Sequence, residues 1–186
     1  MGLINRKPFV NTFAESSAWG EHDEVPVLPE ESDPQVYASR SAKPQPFYLT
    51  CEKDTLLVFM SGTAEVKLKH PDVTRFKVVA GDFVYVPART PHQVVPTTQT
   101  IHYRYRAREA GKEAVSWYCA HCGTLLSSHV WDTATVEVHS AFQTATAAFN
   151  QSADMRTCKT CGLVNDKADA SGNRWSAIAT EARGAV

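Results

Sequence analysis

No stretch of this sequence stays apolar for more than a few residues, so nothing in it has the length of a membrane span. The opening segment, Met1 to Phe13, lacks the apolar core of a secretory signal. A surplus of one charge is missing too: 19 Lys and Arg stand against 20 Asp and Glu, a formal net charge of −1. That balance gives no electrostatic footprint for nucleic acid or an anionic membrane, and neither is expected as a partner. Cysteine is scarce, and four of the five form two Cys-x-x-Cys pairs. Such pairs fit metal binding in a reducing compartment better than a disulfide framework, which places the chain in the cytoplasm. At 186 residues, 43% of them apolar, the chain suits one soluble domain or one domain with a small appendage.

The pattern along the chain divides it into four parts. Residues 1–45 read as an irregular arm draped over a barrel, with an acidic, proline-rich loop from Glu21 to Pro34. Residues 46–108 carry short extended runs separated by turns: Phe47 to Cys51, Thr55 to Met60, Ala64 to Lys69, Arg75 to Val79, Phe83 to Pro87 and Thr100 to Arg106. Ala64 to Lys69 alternates apolar and charged residues, as a half-buried strand does. Many short strands with close turns argue an all-β sandwich or small barrel. Residues 109–165 hold the cysteine pairs, with a polar linker before them and a helix from Ala141 to Gln151 between them. The tail, 166–186, is rich in Ala, Gly and Ser and reads as loosely held apart from Trp175.

Two motifs carry chemistry. Cys119-Ala120-His121-Cys122-Gly123 and Cys158-Lys159-Thr160-Cys161-Gly162 each let two sulfurs face one ion from a single turn. Four thiolates make a closed tetrahedral site for zinc or a rubredoxin-like iron, structural because no position is left for substrate. His121 lies inside the first knuckle and reads as a surface residue. The second motif, Gly81-Asp82 through Pro87-Ala88-Arg89-Thr90-Pro91-His92, sets an imidazole on a strand pointing into a barrel.

Together these segments resemble the bacterial 3-hydroxyanthranilate 3,4-dioxygenase family, cupins with an appended rubredoxin-like four-cysteine site. The matching text is Pro8-Phe9, Gly81-Asp82 to His92, Trp117 to Leu126 and Arg156 to Gly162. The resemblance implies a single cupin jelly-roll barrel followed by the metal module, usually as a homodimer. It also implies catalytic iron(II) held by two histidines and a glutamate. Counted back from Gly62, the glutamate position falls on Thr55 and the first histidine position on Leu49, so of the three ligands only His92 is kept. The family's active-site acid aligns with Arg104, and its substrate-binding arginine falls near Pro96.

A catalytic iron is therefore not expected, since a facial triad needs three groups. The expectation is redox-neutral chemistry (lyase, isomerase, cyclase or hydrolytic) on a small, anionic, carboxylated substrate of aromatic type. His92 would serve as acid/base near neutral pH. Arg104 would hold the anion, with Arg106 and His102 on the same face of their strand. Whether that face or the Ile101, Tyr103 and Tyr105 face turns inward stays open on pattern alone. Cys51 shares a face with Leu49 and Thr55 and would sit near His92, as an inert small hydrophobe or as a nucleophile or ligand. Two further readings stand beside this one: a ring-cleaving dioxygenase with altered ligands, and a non-catalytic binding or assembly protein on the same scaffold.

Overall fold

The computed structural model describes residues 9–72 and 74–184; Pro8 of the resemblance and the last residues of the tail lie outside them. Among the described residues, one antiparallel sheet is built from Val25–Pro26 (β1), Gln35–Ser41 (β2), Thr100–Arg106 (β9), Thr55–Ser61 (β4) and Phe83–Val86 (β7), side by side in that order. A second runs Leu125–Asp132 (β11), Lys112–Tyr118 (β10), Tyr48–Cys51 (β3), His92–Pro96 (β8), Thr63–Leu68 (β5) and Arg75–Val79 (β6). The helices are Thr12–Glu15 (α1), Val138–Gln151 (α2), Ala153–Arg156 (α3) and Trp175–Gly184 (α4). Two antiparallel sheets enclosing one interior make the expected all-β barrel, with the four-cysteine module attached.

The period-2 segments form strands where the pattern placed them. In β5, Ala64, Val66 and Leu68 are buried while Glu65 and Lys67 are not. The turn before it needs glycine: Gly62 sits at φ 75°, and a Cβ there would meet the Gln99 carbonyl at 2.1 Å. Leu57, Phe59, Ala64, Val66, Val78, Val84 and Val94 fill one half of the interior with aliphatic and aromatic packing.

The sheets extend past the divisions drawn from sequence. The arm supplies β2, which pairs with β9 from Gln35↔Arg106 to Ser41↔Thr100. The stretch read as a linker opens β10, which pairs with both β3 and β11. The reason is burial on both faces. β2 is covered on either side, so no alternation marks it, and β10 carries Glu113 inward, a charge that hides the pattern. The tail is held as well: Trp175 and Ile178 of α4 are buried, Trp175 among Phe47 and Phe142. α2 packs Phe142 and Phe149 on Phe47, Trp117 and Trp131 of the second sheet.

Candidate functional site

The four cysteines converge. Their sulfurs all lie within 4.8 Å of one another, with Cys119–Cys161 at 3.6 Å and Cys122–Cys158 at 3.4 Å. Tetrahedral coordination with Zn–S near 2.3 Å would set sulfurs about 3.8 Å apart, so the quartet fits a metal ion with little movement. The two knuckles repeat one geometry. The Gly123 and Gly162 amides donate to the Cys119 and Cys158 carbonyls, and both glycines have positive φ, 73° and 76°. Asn165 ties them together: its Oδ1 accepts from the Ala120 amide at 2.8 Å and its Nδ2 donates to the Arg156 and Leu163 carbonyls. Cys119 and Cys158 are buried, Cys122 and Cys161 exposed. Backbone amides of Cys122 and His121 at the Cys119 sulfur hold that thiol down to about 6, which favours the thiolate a metal needs. Among the described residues this is the one group of three or more Cys, His, Asp or Glu whose ligand atoms are close enough to share an ion.

The other half of the barrel interior is charged. His102, Arg104 and Arg106 of β9 all turn inward and are buried. The aromatic face of β9 turns outward, where Trp19, Val27 and Ile178 cover it. Parity alone could not choose because both faces are buried, one by apolar groups and one by carboxylates. Arg104, 1% exposed, donates from Nε to both Glu24 oxygens at 3.0 and 2.9 Å, and its Nη2 closes a short bond to Glu24 Oε2. Its Nη1 reaches Glu113 Oε1 at 3.3 Å and Cys51 Sγ at 3.7 Å. Arg106 donates to the same Glu113 oxygen at 2.9 Å. Tyr37 lies under both guanidiniums, 5.2 and 5.0 Å from its ring centre.

Glu24 arrives from the arm through backbone that few residues adopt: φ is 49° at His22 and 47° at Glu24. Three contacts fix this segment. His139 Nε2, at the start of α2, is 2.8 Å from the Asp23 carbonyl and 3.0 Å from that of Glu24. Asp23 accepts from the Arg174 amide at 2.7 Å and from its Nε at 3.0 Å. Ser41 bonds His22 Nδ1 at 2.8 Å. Sequence reading missed Glu24, Glu113 and His139. Glu24 and Glu113 had a detectable signal: three basic or imidazole side chains on one face of a strand require buried acids opposite if that face turns inward.

Several site assignments change. Arg104 was expected to hold the substrate's carboxylate, but its donors are taken by Glu24 and Glu113. His102, expected to help bind an anion, is pushed to about 4 by burial and by His22, so it is neutral, stacked 5.3 Å from Phe59. Cys51 is pushed up to about 12 by burial and by Glu113, which keeps it a thiol at neutral pH and favours the small-hydrophobe reading over the nucleophile. His92 lies in the barrel as expected, 1% exposed, but burial and then Arg104 push it to about 4 rather than near neutral. Leu49 stands directly across from it in the β3–β8 pairing. Thr55, at the family's glutamate position, is buried between Arg106 and Val86 on neighbouring strands. With Leu49 and Thr55 at the other expected ligand positions and a guanidinium close enough to depress its basicity, His92 belongs to no group of three ligand atoms near enough to share an ion among the described residues, which does not fit a facial triad. Arg106 alone of the β9 trio lines a cleft, about 520 Å³ at the end of the barrel, with Arg108, Gln35, Tyr37 and the 133–139 segment.

The two buried imidazoles give a pH prediction. Each has a folded pKa of about 4 against an ordinary 6.5, so between those values the unfolded chain binds protons that the folded chain refuses. Stability is then unaffected above pH 6.5 and falls as pH drops toward 4, by on the order of 3 kcal/mol per histidine. Urea denaturation at pH 7 and pH 4.5 measures this, and His92→Gln should flatten the slope. An unchanged slope would show that His92 is not a buried neutral imidazole.

No family model matches the sequence. Two curated yeast proteins do, both named 3-hydroxyanthranilate 3,4-dioxygenase. The one from Candida albicans is 32% identical over 53% of this chain and 59% of its own length. The one from Scheffersomyces stipitis is 30% identical over 46% of this chain and 50% of its own. The chain thus spans about half the length of the curated relatives it matches, and they are yeast proteins where the resemblance had suggested bacterial ones. Solved structures similar to it include a hydroquinone 1,2-dioxygenase from Sphingomonas sp. TTNP3, 15% identical, covering 52% of this chain and 72% of that one at TM-score 0.46. A cupin-2 domain protein from Shewanella frigidimarina is 16% identical, covering 53% and 93% at TM-score 0.45. Over about half of its length, then, the chain is similar to the 3-hydroxyanthranilate 3,4-dioxygenases, and it folds there as paired antiparallel sheets with His92 turned inward.

Proposed function

We propose that this cupin works without iron in its barrel and carries out redox-neutral chemistry on a small carboxylated molecule of aromatic type. The observation that carries the reading is Arg104: a fully buried guanidinium, held by Glu24 and Glu113, stands where the family keeps an acid. With Leu49 across from His92, the barrel offers a guanidinium held between two carboxylates instead of a metal triad. Such an ion-pair network has no centre that binds or reduces dioxygen. His92 is neutral at pH 7 and a weak base there, so its part is to orient a bound group through its ring nitrogens. The tetrathiolate site takes one structural zinc or iron per chain.

The relatives' name supplies the test. With 3-hydroxyanthranilate as probe, the purified chain should consume no oxygen and contain about one metal per protomer, all of it lost with the cysteines. Oxygen uptake, or a second ion bound by His92, would revive the oxygenase reading.

The non-catalytic reading has its own support, because His92 and Arg104 are each 1% exposed and line none of the clefts described. His92→Asn separates the two: lost turnover with retained ligand binding means an enzyme, and unchanged behaviour means a binding protein. We also place the chain in the cytoplasm as a homodimer. Phe83 and Tyr85, 69% and 55% exposed, stand beside Val58 and Leu56 and give the first sheet an open apolar outer face. Phe83→Lys should then shift the solution mass from dimer to monomer, and a dimer that persists would remove this face from consideration. Among the described residues no helix is long and apolar enough to cross a membrane.

A further inference from the structure

We infer that the cleft at the Arg106 end of the barrel is an anion site for a planar aromatic carboxylate, with Arg106 and Arg108 as its two cationic groups. The inference rests on the proposed small-acid chemistry and moves its binding site from Arg104 to the barrel's end.

The cleft is about 520 Å³, within the size range of small-ligand pockets. Its walls combine apolar and hydroxyl groups: Pro26, Val136 and Val138 on one hand, Tyr37, Thr133 and Thr135 on the other. Arg106 is 7% exposed and spends one Nη on Glu113, while its Nε is buried with no hydrogen-bond partner among the described residues. A guanidinium left short of a partner so deep in the protein costs free energy that a bound carboxylate would recover. Arg108, two residues past the end of β9, also lines the cleft; it is exposed, its amide donates to Asp33 at 3.1 Å, and its guanidinium forms no ion pair among the described residues. The acids nearby are engaged. Glu137 caps α2 and pairs with His139, and Glu113 is shared by Arg104 and Arg106. Glu30 remains at the rim, exposed.

The arrangement also links the cleft to the barrel interior. Arg106 and Arg104 share Glu113 Oε1 and the face of Tyr37.

The alternative basic cleft lies across the molecule, where Lys69 sits over the rings of Tyr48 and Tyr118 beside Lys67 and Arg75. Lys67 and Arg75 are both paired to Glu65 there, which leaves one lysine and no buried donor.

Calorimetric titration with benzoate, benzamide and inorganic phosphate tests the assignment on the metal-loaded chain. Benzoate should bind, and benzamide, which has no charge, should not. Arg108→Gln should weaken benzoate roughly tenfold, as loss of a charge-assisted hydrogen bond does. Glu30→Gln should tighten it several-fold. Both residues are exposed, so folding is not at stake, and Lys69→Gln should change nothing. No benzoate binding, equal binding of benzamide, preference for phosphate, or sensitivity to Lys69 instead of Arg108 would each overturn the site. Oxygen uptake or barrel iron would instead overturn the redox-neutral reading and leave this binding pattern in place.

Discussion

Replacing Cys119 and Cys158 together with serine is expected to remove the metal and unfold the segment from Tyr118 to Asn165. These are the buried members of the quartet, one from each knuckle, so either knuckle alone keeps only its exposed sulfur. A structural tetrathiolate contributes on the order of 10 kcal/mol to the module it organises. That module includes α2, whose Phe142 and Phe149 pack on Phe47 and Trp117, so the loss should spread to the second sheet. Metal analysis by atomic emission, with far-ultraviolet circular dichroism, reads both effects. Stoichiometric metal retained by the double variant would refute the site. Cys51→Ser is the control: this thiol stands apart from the quartet and should leave metal content unchanged.

The second large effect is expected at Arg104. Arg104→Met leaves the Glu24 and Glu113 carboxylates inside the barrel with their main cation gone. Breaking a buried ion pair from one side costs about 3–5 kcal/mol because the remaining charge is uncompensated. For a chain of this size that lowers the melting temperature by roughly 6–20 °C. The sign of the pH dependence follows. Glu24 is buried, which raises its carboxyl, but Arg104 more than offsets this and holds it below the ordinary value of 4.5. Its contribution is therefore complete above pH 4.5 and is lost as pH falls through the lower folded value. In Arg104→Met burial outweighs the weaker pull of His102 and His139, the carboxyl rises, and the Glu24 contribution should reverse sign, offsetting part of the histidines' loss of stability on acidification. Adding Glu24→Gln to Arg104→Met should recover more than half of the loss at pH 7. A double variant no more stable than the single one would mean that packing around Arg104 matters more than its charge.

Much of the fold was legible because six strands carry a period-2 or apolar pattern between turns, and β5 and β9 show it most plainly. The cysteine centre was legible because two short identical spacings leave little freedom for four sulfurs. The barrel interior was not. The residues at the two other expected ligand positions, Leu49 and Thr55, could be read directly, but the groups that fill the charged interior came from elsewhere in the chain. Glu24 lies 80 residues from Arg104, in a segment whose acids and prolines look like solvated loop. Glu113 sits in a stretch that reads as linker for the same reason, its charge. In both cases polarity signals solvent exposure unless its partner is known, and no local pattern names a partner that far away. His92 was placed correctly because its strand is local, and its basicity was misjudged because the neighbouring Arg104 was thought to face a ligand.

The fastening of the arm has a consequence for the order in which the chain can mature. Asp23 is held by Arg174, 151 residues later, and the Asp23 and Glu24 carbonyls are held by His139, 116 and 115 residues later. The backbone at His22 and Glu24 is strained, so it has no reason to take this shape before those partners exist. During synthesis the strands from Tyr48 to Arg106 can pair well before then, because their contacts are among neighbours. Arg104 must therefore wait, unpaired with Glu24, until almost the whole chain has left the ribosome. Closure of the charged half of the barrel becomes a late, long-loop event, slow by the entropy of bringing such distant residues together. The newborn protein passes through a stage in which its aliphatic half is built and its ionic half stands open to water.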